Sequence, residues 1–216
     1  MSGRRLFVDF EGEADGPPVL LGVLGESRAL GDSGGFRQYV FDPVLQVAGA
    51  ASATAHGPCI DETLEGALAR LRAACEQEGV ELVAWSSYEQ SVISGALAAS
   101  GDLQFWEGRI VDAKAIAKRW KRKVHPDVEF PLTRGSGRHA LRHYLDLVGY
   151  RVPPTQRGGK TGVRIRAVRT ALEKKGSFAA LTGVEKRKWL SLLSHNWHDC
   201  NGMREVVMRA RETENG

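Results

Sequence analysis

Short apolar runs alternate along this chain with stretches in which apolar residues recur at helical spacing. Leu6-Phe7-Val8-Asp9-Phe10-Glu11 predicts a first strand from about Arg4 to Phe10. Val19 to Leu24, behind a Gly-Pro-Pro turn, predicts a second strand, and Phe36 to Phe41 a third. Short connections between the three favour an antiparallel meander. Leu64, Leu68, Leu71 and Cys75 mark a helix face behind Asp61, a residue suited to capping it. Glu81 to Trp85 predicts a fourth strand, a helix runs from near Tyr88 to about Ala99, and Arg109-Ile110-Val111 predicts a fifth strand ending at Asp112. Helices are then expected over Ala113–Lys121, Arg138–Val148, Val163–Lys174 and, longest of all, Val184–Arg211. The Pro- and Gly-bearing stretches Asp127–Gly137 and Pro153–Gly162 read as loops. A meander followed by alternating helices and strands makes a mixed α/β sheet.

Composition narrows the setting. The 216 residues suit one large domain with a substantial core, expected to span 1–216. No apolar run approaches the roughly 20 residues that cross a bilayer. The opening Met1-Ser2-Gly3-Arg4-Arg5 lacks the apolar stretch of a signal peptide. Cys59, Cys75 and Cys200 are widely spaced and follow no metal-ligand pattern, so free thiols in a reducing cytoplasm are expected. The net charge of +4 hides a partition: residues 1–108 carry 6 Lys/Arg against 16 Asp/Glu, and residues 109–175 carry 18 against 5. An acidic half joined to a basic segment, at about 113–175, suits a protein that holds cations in one place and phosphates beside it. A solvated charged surface is the plainer reading of the same pattern.

Asp9 and Glu11, two residues apart in a strand, point to the same face. Adjacent carboxylates repel unless a cation lies between them, and a hard divalent ion with a preference for oxygen is the simplest such partner. Late in the chain, His195 and Asp199 stand four residues apart on one helix face, with Gly202 one turn further on. Alone, that pair reads as a surface hydrogen bond. A glycine within a helix costs about 1 kcal/mol relative to alanine, which a close approach by something bulky would rationalise.

The order of these motifs resembles the DEDD superfamily of 3′–5′ exonucleases. Val8-Asp9-Phe10-Glu11-Gly12 fits its first motif, DxE, and Tyr88-Glu89 stands where the aromatic-acid pair of the second motif opens a helix. Asp199 on the last helix fits the third, with His195 four residues before it. Tyr88-Glu89 and Asn196-Trp197-His198-Asp199-Cys200 are similar to a subgroup, the predicted RNase H-like exonuclease domains that accompany RecB-like nucleases. The resemblance implies an RNase H-like fold: a five-stranded mixed sheet, order 3-2-1-4-5 with one antiparallel strand, flanked by helices. It also implies a two-metal mechanism, with Mg²⁺ or Mn²⁺ ions about 3.5–4 Å apart clamping the scissile phosphate. Asp9 would bridge both ions, Glu11 and Asp199 would complete the water-side site, and Glu89 would support the second ion. The subgroup's glutamate at position 89 lengthens the reach by one methylene. His195 is the expected general base, an imidazole being suited to proton transfer near neutral pH. His198, about 100° around the helix, is expected to line the edge or meet solvent.

Two basic clusters would serve the substrate. Lys114, Lys118, Arg119, Lys121, Arg122 and Lys123 follow the fifth strand with Trp120 among them, either contacting phosphates with Trp120 stacking on a base, or solvating a helix whose Trp120 is in the core. Arg157, Lys160, Arg164, Arg166 and Arg169 lead from a glycine-rich loop into a helix start, a place that attracts phosphate. The loop lacks the spacing of a Walker A motif. Asp112 is expected to cap a helix, His139 and His143 to lie on the surface or face phosphate, and Trp85, Trp106, Trp189 and Trp197 to be core residues. Partners implied are DNA or RNA with a single-stranded 3′ end, with a second nuclease or a helicase as a protein partner. An endonuclease on the same site and a catalytically weak binding module are the competing functions.

Overall fold

A computed structural model of the chain describes residues 4–14, 16–31, 35–52, 56–97, 103–132, 137–156 and 161–215. Strand β1 (Arg5–Gly12) lies inside the sheet with β2 (Pro18–Gly25) antiparallel on one side and β5 (Glu81–Ala84) parallel on the other. Beyond β2 lie β3 (Gly35–Val40), antiparallel to it, and β4 (Cys59–Asp61), parallel to β3. Beyond β5 lies β6 (Ile110–Asp112), also parallel. The helices are α1 (Pro43–Gly49), α2 (Leu64–Glu78), α3 (Ser87–Leu97), α4 (Leu103–Trp106), α5 (Ala113–Val124), α6 (Leu141–Leu147), α7 (Thr161–Lys175) and α8 (Gly183–Asn215).

Among the described residues the sheet therefore has six strands, in the order β4-β3-β2-β1-β5-β6, and the five-stranded order expected from the sequence is corrected accordingly. The addition is β4, which places β3 inside the sheet. Gly57 permits this pairing: its φ is 153°, and a Cβ there would run into the Phe36 carbonyl. Helix α1 also escaped the periodicity, although Asp42-Pro43 carries a start signal: Asp42 Oδ1 accepts from Val44 N at 2.9 Å and Leu45 N at 3.1 Å. Helix α2 is capped by Thr63, whose hydroxyl accepts from Gly66 N, because Asp61 ends β4. Helix α6 begins at Leu141 and leaves His139 outside it.

Alternation in β1 divides the core. Leu6, Val8 and Phe10 pack with Leu68, Leu71 and Cys75 of α2 and Ile93 of α3 on one side of the sheet. On the other side, α8 crosses the strands. Its first half, with Trp189, Leu192 and Leu193, packs with α1, α7, Val19, Leu20 and Val40. Its second half, with Cys200, Met203, Val206 and Val207, packs with α5, α6, Phe7 and Val83. Between these apolar halves falls the polar stretch Ser194–Asp199, above the C-terminal half of β1. Gly202 explains itself here: a Cβ would lie 2.7 Å from Leu145 Cδ2, so the bulky neighbour is α6. No helix among the described residues is long and apolar enough to cross a membrane.

Candidate metal centre

Parallel strands β1 and β5 end side by side, and the chain leaves them in opposite directions, β1 toward β2 and β5 through α3 toward β6. Such a divergence leaves a crevice outside the carboxyl ends of the strands. Acidic side chains from three elements meet there. Asp9 and Glu11 come from β1 and Asp199 from α8, and Glu89 opens α3. Glu89 is 3 % exposed, and its Oε2 accepts from Ser86 N at 3.1 Å and Ser86 Oγ at 2.8 Å, while Ser86 Oγ accepts from Tyr88 N at 3.2 Å, a variant of the capping box. A capping glutamate is ordinarily solvated; this one is buried beside the β1 carboxylates.

The electrostatics record the crowding. Burial, then the charges of Glu11, Asp199 and Glu89, push Asp9 well above the ordinary carboxylate range, against a hydrogen bond from Asn196. Glu11 is pushed up to about 7, chiefly by burial, with the opposing charge of His195 holding it lower and Asp199 adding repulsion. Burial also raises Asp199, with His195 opposing, and Glu89, with its hydrogen bonds and Lys114 opposing. Among the described residues Glu11 Oε1 is buried without a hydrogen bond. Glu11, His195 and Asp199 place one ligand atom each within 4.8 Å of one another, a spacing that a single cation can span. Oxygen donors, an orphaned carboxylate oxygen and mutual repulsion together fit Mg²⁺ or Mn²⁺.

His195 joins the acids rather than solvent. Its Nε2 lies 3.5 Å from Asp199 Oδ2 and 3.8 Å from Glu11 Oε1. Burial favours the neutral ring, but these two carboxylates outweigh it and raise the pKa; the Gln156 backbone adds to them and nearby Arg164 opposes. His198 departs from expectation. It is buried, its Nδ1 lies 3.0 Å from the Tyr150 hydroxyl, and that hydroxyl accepts from Asn201 Nδ2 at 2.9 Å. Burial first, then His56 and His195, depress His198 to about 4, which keeps it neutral near pH 7.

One contributor stands in the sequence only as the first residue of the Asn196–Cys200 ending, with no role assigned to it. Asn196, fully buried on α8, donates through Nδ2 to Asp9 Oδ2 at 2.9 Å and to the Asp9 carbonyl at 3.0 Å. It reaches β1 over Gly22, where a Cβ would overlap its side-chain amide. Gly22→Ala should therefore displace Asn196 and cost about 1–3 kcal/mol of stability, the usual penalty of overpacking. Chemical denaturation measures it, and an unchanged midpoint would contradict this packing.

The basic residues divide. Lys118, Arg119, Arg122 and Lys123 are exposed on α5, while Trp120 is buried in the core. Lys123 Nζ donates to the Thr213 carbonyl at 3.1 Å, near the end of α8. Lys114 lies near Glu89, so the α5 cluster borders the acidic site on one flank. On the other flank, Arg164 lies near His195, and Arg166 pairs with Glu13 at 2.7 Å. Arg169 bridges Glu13 and the α1 cap Asp42. Arg166 and Arg169 thus line, with Glu13 and the β1–β2 turn, a pocket beyond the end of β1. Arg157 and Lys160 lie outside the described residues. Asp112 caps α5, accepting from Ala115 N at 2.9 Å, as expected. His139 and His143 belong instead to an aromatic cluster: His143 is buried and stacks on Phe130, and His139 Nδ1 lies 2.7 Å from the Tyr144 hydroxyl. Trp85, Trp106 and Trp189 are buried, whereas Trp197 is partly exposed and stacks on His56 with centroids 4.1 Å apart. Cys59, Cys75 and Cys200 are free thiols.

Comparison of the chain with protein-family models, with curated proteins and with solved structures returns no match.

Proposed function

We propose that this chain is a metal-dependent nuclease with an RNase H-like fold, acting as one domain in the cytoplasm and removing nucleotides from the 3′ end of DNA or RNA. The observation that carries this reading is the convergence of Asp9, Glu11, Glu89 and Asp199, all with raised pKa values, with His195 beside Glu11 and Asp199. A binding module gains nothing from four acids that repel both one another and phosphate. Cations make the arrangement sensible.

Asp9, Glu11, Glu89 and Asp199 would hold two Mg²⁺ or Mn²⁺ ions, which when bound activate water and neutralise charge on the phosphate. His195 takes the proton of the attacking water at Nε2, and the carboxylates of Asp199 and Glu11 stabilise the imidazolium so formed. Asn196 holds Asp9 in place. Lys114 and Lys118 on one flank and Arg164 on the other attract the phosphates of the strand, whose single-stranded 3′ end would enter the acidic crevice between them. A helicase or second nuclease would supply such ends.

End-labelled and circular DNA and RNA, with Mg²⁺, Mn²⁺ or EDTA, test the reaction. Mononucleotides released from 3′ ends only with metal are expected; internal cuts in circles would indicate an endonuclease, and no cleavage of any substrate would overturn the reading. Binding to a labelled oligonucleotide should weaken as salt rises. Lys118→Ala with Arg122→Ala should lower the slope of log affinity against log salt by about 0.7 for each phosphate of a single strand that these side chains neutralise. An unchanged slope would remove α5 from the substrate path.

A further inference from the structure

Asp9, Gly22, Gln38 and Cys59 are successive partners across β1, β2, β3 and β4, so they form one row running from the metal centre to the sheet edge. Asn196 of α8 lies over this row, in the space Gly22 leaves. Gln38, 1 % exposed, donates through Nε2 to Asn196 Oδ1 at 3.0 Å and to the Leu193 carbonyl at 3.1 Å. Its Oε1 faces the Cys59 thiol at 4.0 Å.

The directions of these bonds are settled by groups that can play only one part. The Leu193 carbonyl can only accept, so Gln38 must present its NH₂ there and to Asn196. The Asp9 carbonyl can only accept, so Asn196 must present its NH₂ to Asp9 and its oxygen to Gln38. Every donor then points the same way, from Cys59 to Gln38 to Asn196 to Asp9. Asp9 thus sets which end of the Asn196 amide faces β1, and Gln38 holds the other end: without it the buried Oδ1 loses the donor that keeps Nδ2 aimed at Asp9.

We propose that Gln38 is a positioning residue for the metal centre: by donating to Asn196 Oδ1 it locks the Asn196 amide with Nδ2 on Asp9, and so fixes the direction in which that carboxylate points. This role rests on the reading of Asp9 as a metal ligand. Groups that orient metal ligands typically change affinity about 10–100-fold when removed. Gln38→Met keeps the volume and removes the donor.

Titration of the folded protein with Mn²⁺ by calorimetry should show affinity about 10–100-fold weaker in Gln38→Met than in the wild type. Gln46→Met is the control for a merely structural amide. Gln46 Nε2 donates to the Val40 and Glu62 carbonyls, away from Asp9, and its loss should leave Mn²⁺ affinity unchanged. Should Gln38→Met not fold, ¹⁵N NMR of the wild type decides: Mg²⁺ should shift the side-chain amide signals of both Asn196 and Gln38. Affinity within twofold of wild type in Gln38→Met, or amide signals indifferent to Mg²⁺ at saturation, would overturn the role of Gln38 alone. Absence of any Mn²⁺ binding by the wild type would overturn the metal centre itself, and Gln38's role with it.

Discussion

Asp9→Asn is expected to lower metal-dependent hydrolysis by ~10³-fold or more, about 4 kcal/mol of transition-state stabilisation, while making the metal-free protein more stable. The two effects have one cause. Asp9 is held among Glu11, Asp199 and Glu89 at a cost that burial and repulsion register together. An amide has the same shape, still accepts from Asn196 Nδ2, and carries no charge to repel. Relief of that repulsion should contribute on the order of 1–3 kcal/mol at pH 8 in EDTA, as functional sites often trade stability for activity. Asp199→Asn should behave alike, with a smaller stability gain because it also removes a partner of His195. Initial rates with Mn²⁺ and thermal melts in EDTA measure both quantities. Near-normal hydrolysis by Asp9→Asn would remove Asp9 from the chemistry. A lower melting temperature combined with lost activity would point to a damaged fold instead.

The parts of the fold that were legible in the sequence are those governed by local periodicity. The alternation in Leu6–Glu11 located β1 and put both acids on one face, and the spacing of Leu64, Leu68 and Leu71 located α2. Strand β4 was not legible because Cys59–Asp61 holds a single large aliphatic residue, Ile60, where the equally short β6 has the pair Ile110-Val111, and it is defined by pairing with β3. Helix α1 was legible in principle through Asp42-Pro43, but its seven residues gave periodicity little to act on.

The site divides along the same line. Asp9, Glu11, Glu89, His195 and Asp199 each sit in a local pattern that announces a carboxylate pair, a helix start or an i, i+4 face. What orients them does not. Gln38 is a lone amide in an apolar strand, and its partner lies 158 residues away in α8. The misreading of His198 and His143 has the same origin: one ring meets Tyr150 and the other Phe130, contacts that no spacing along the chain encodes.

Stabilisation by Mn²⁺ should grow steeply with pH. In the metal-free protein, Glu11 titrates at about 7 when folded, against 4.5 as its ordinary value. Over that interval the folded state holds a proton that the unfolded chain has released, so stability falls as pH rises through it. Asp9, Asp199 and Glu89 are shifted the same way and act with the same sign. His195 adds to them: its raised pKa gives stability that is complete below the unfolded value of 6.5 and is lost as pH climbs through the folded one. His198, His56, His139 and His143 are depressed and oppose this trend below pH 6.5, so melting temperature against pH in EDTA alone mixes the two groups. With the ion bound at the acid cluster as proposed, the difference between melts with and without Mn²⁺ cancels these histidines. At pH 5.5 the ion must displace the proton of Glu11, which at 1.36 kcal/mol per pH unit removes about 2 kcal/mol of the stabilisation available at pH 8. The other three carboxylates increase the contrast. Paired thermal melts at pH 5.5 and 8 with fixed Mn²⁺ provide the measurement, and equal stabilisation at both would mean that the ion binds away from these acids.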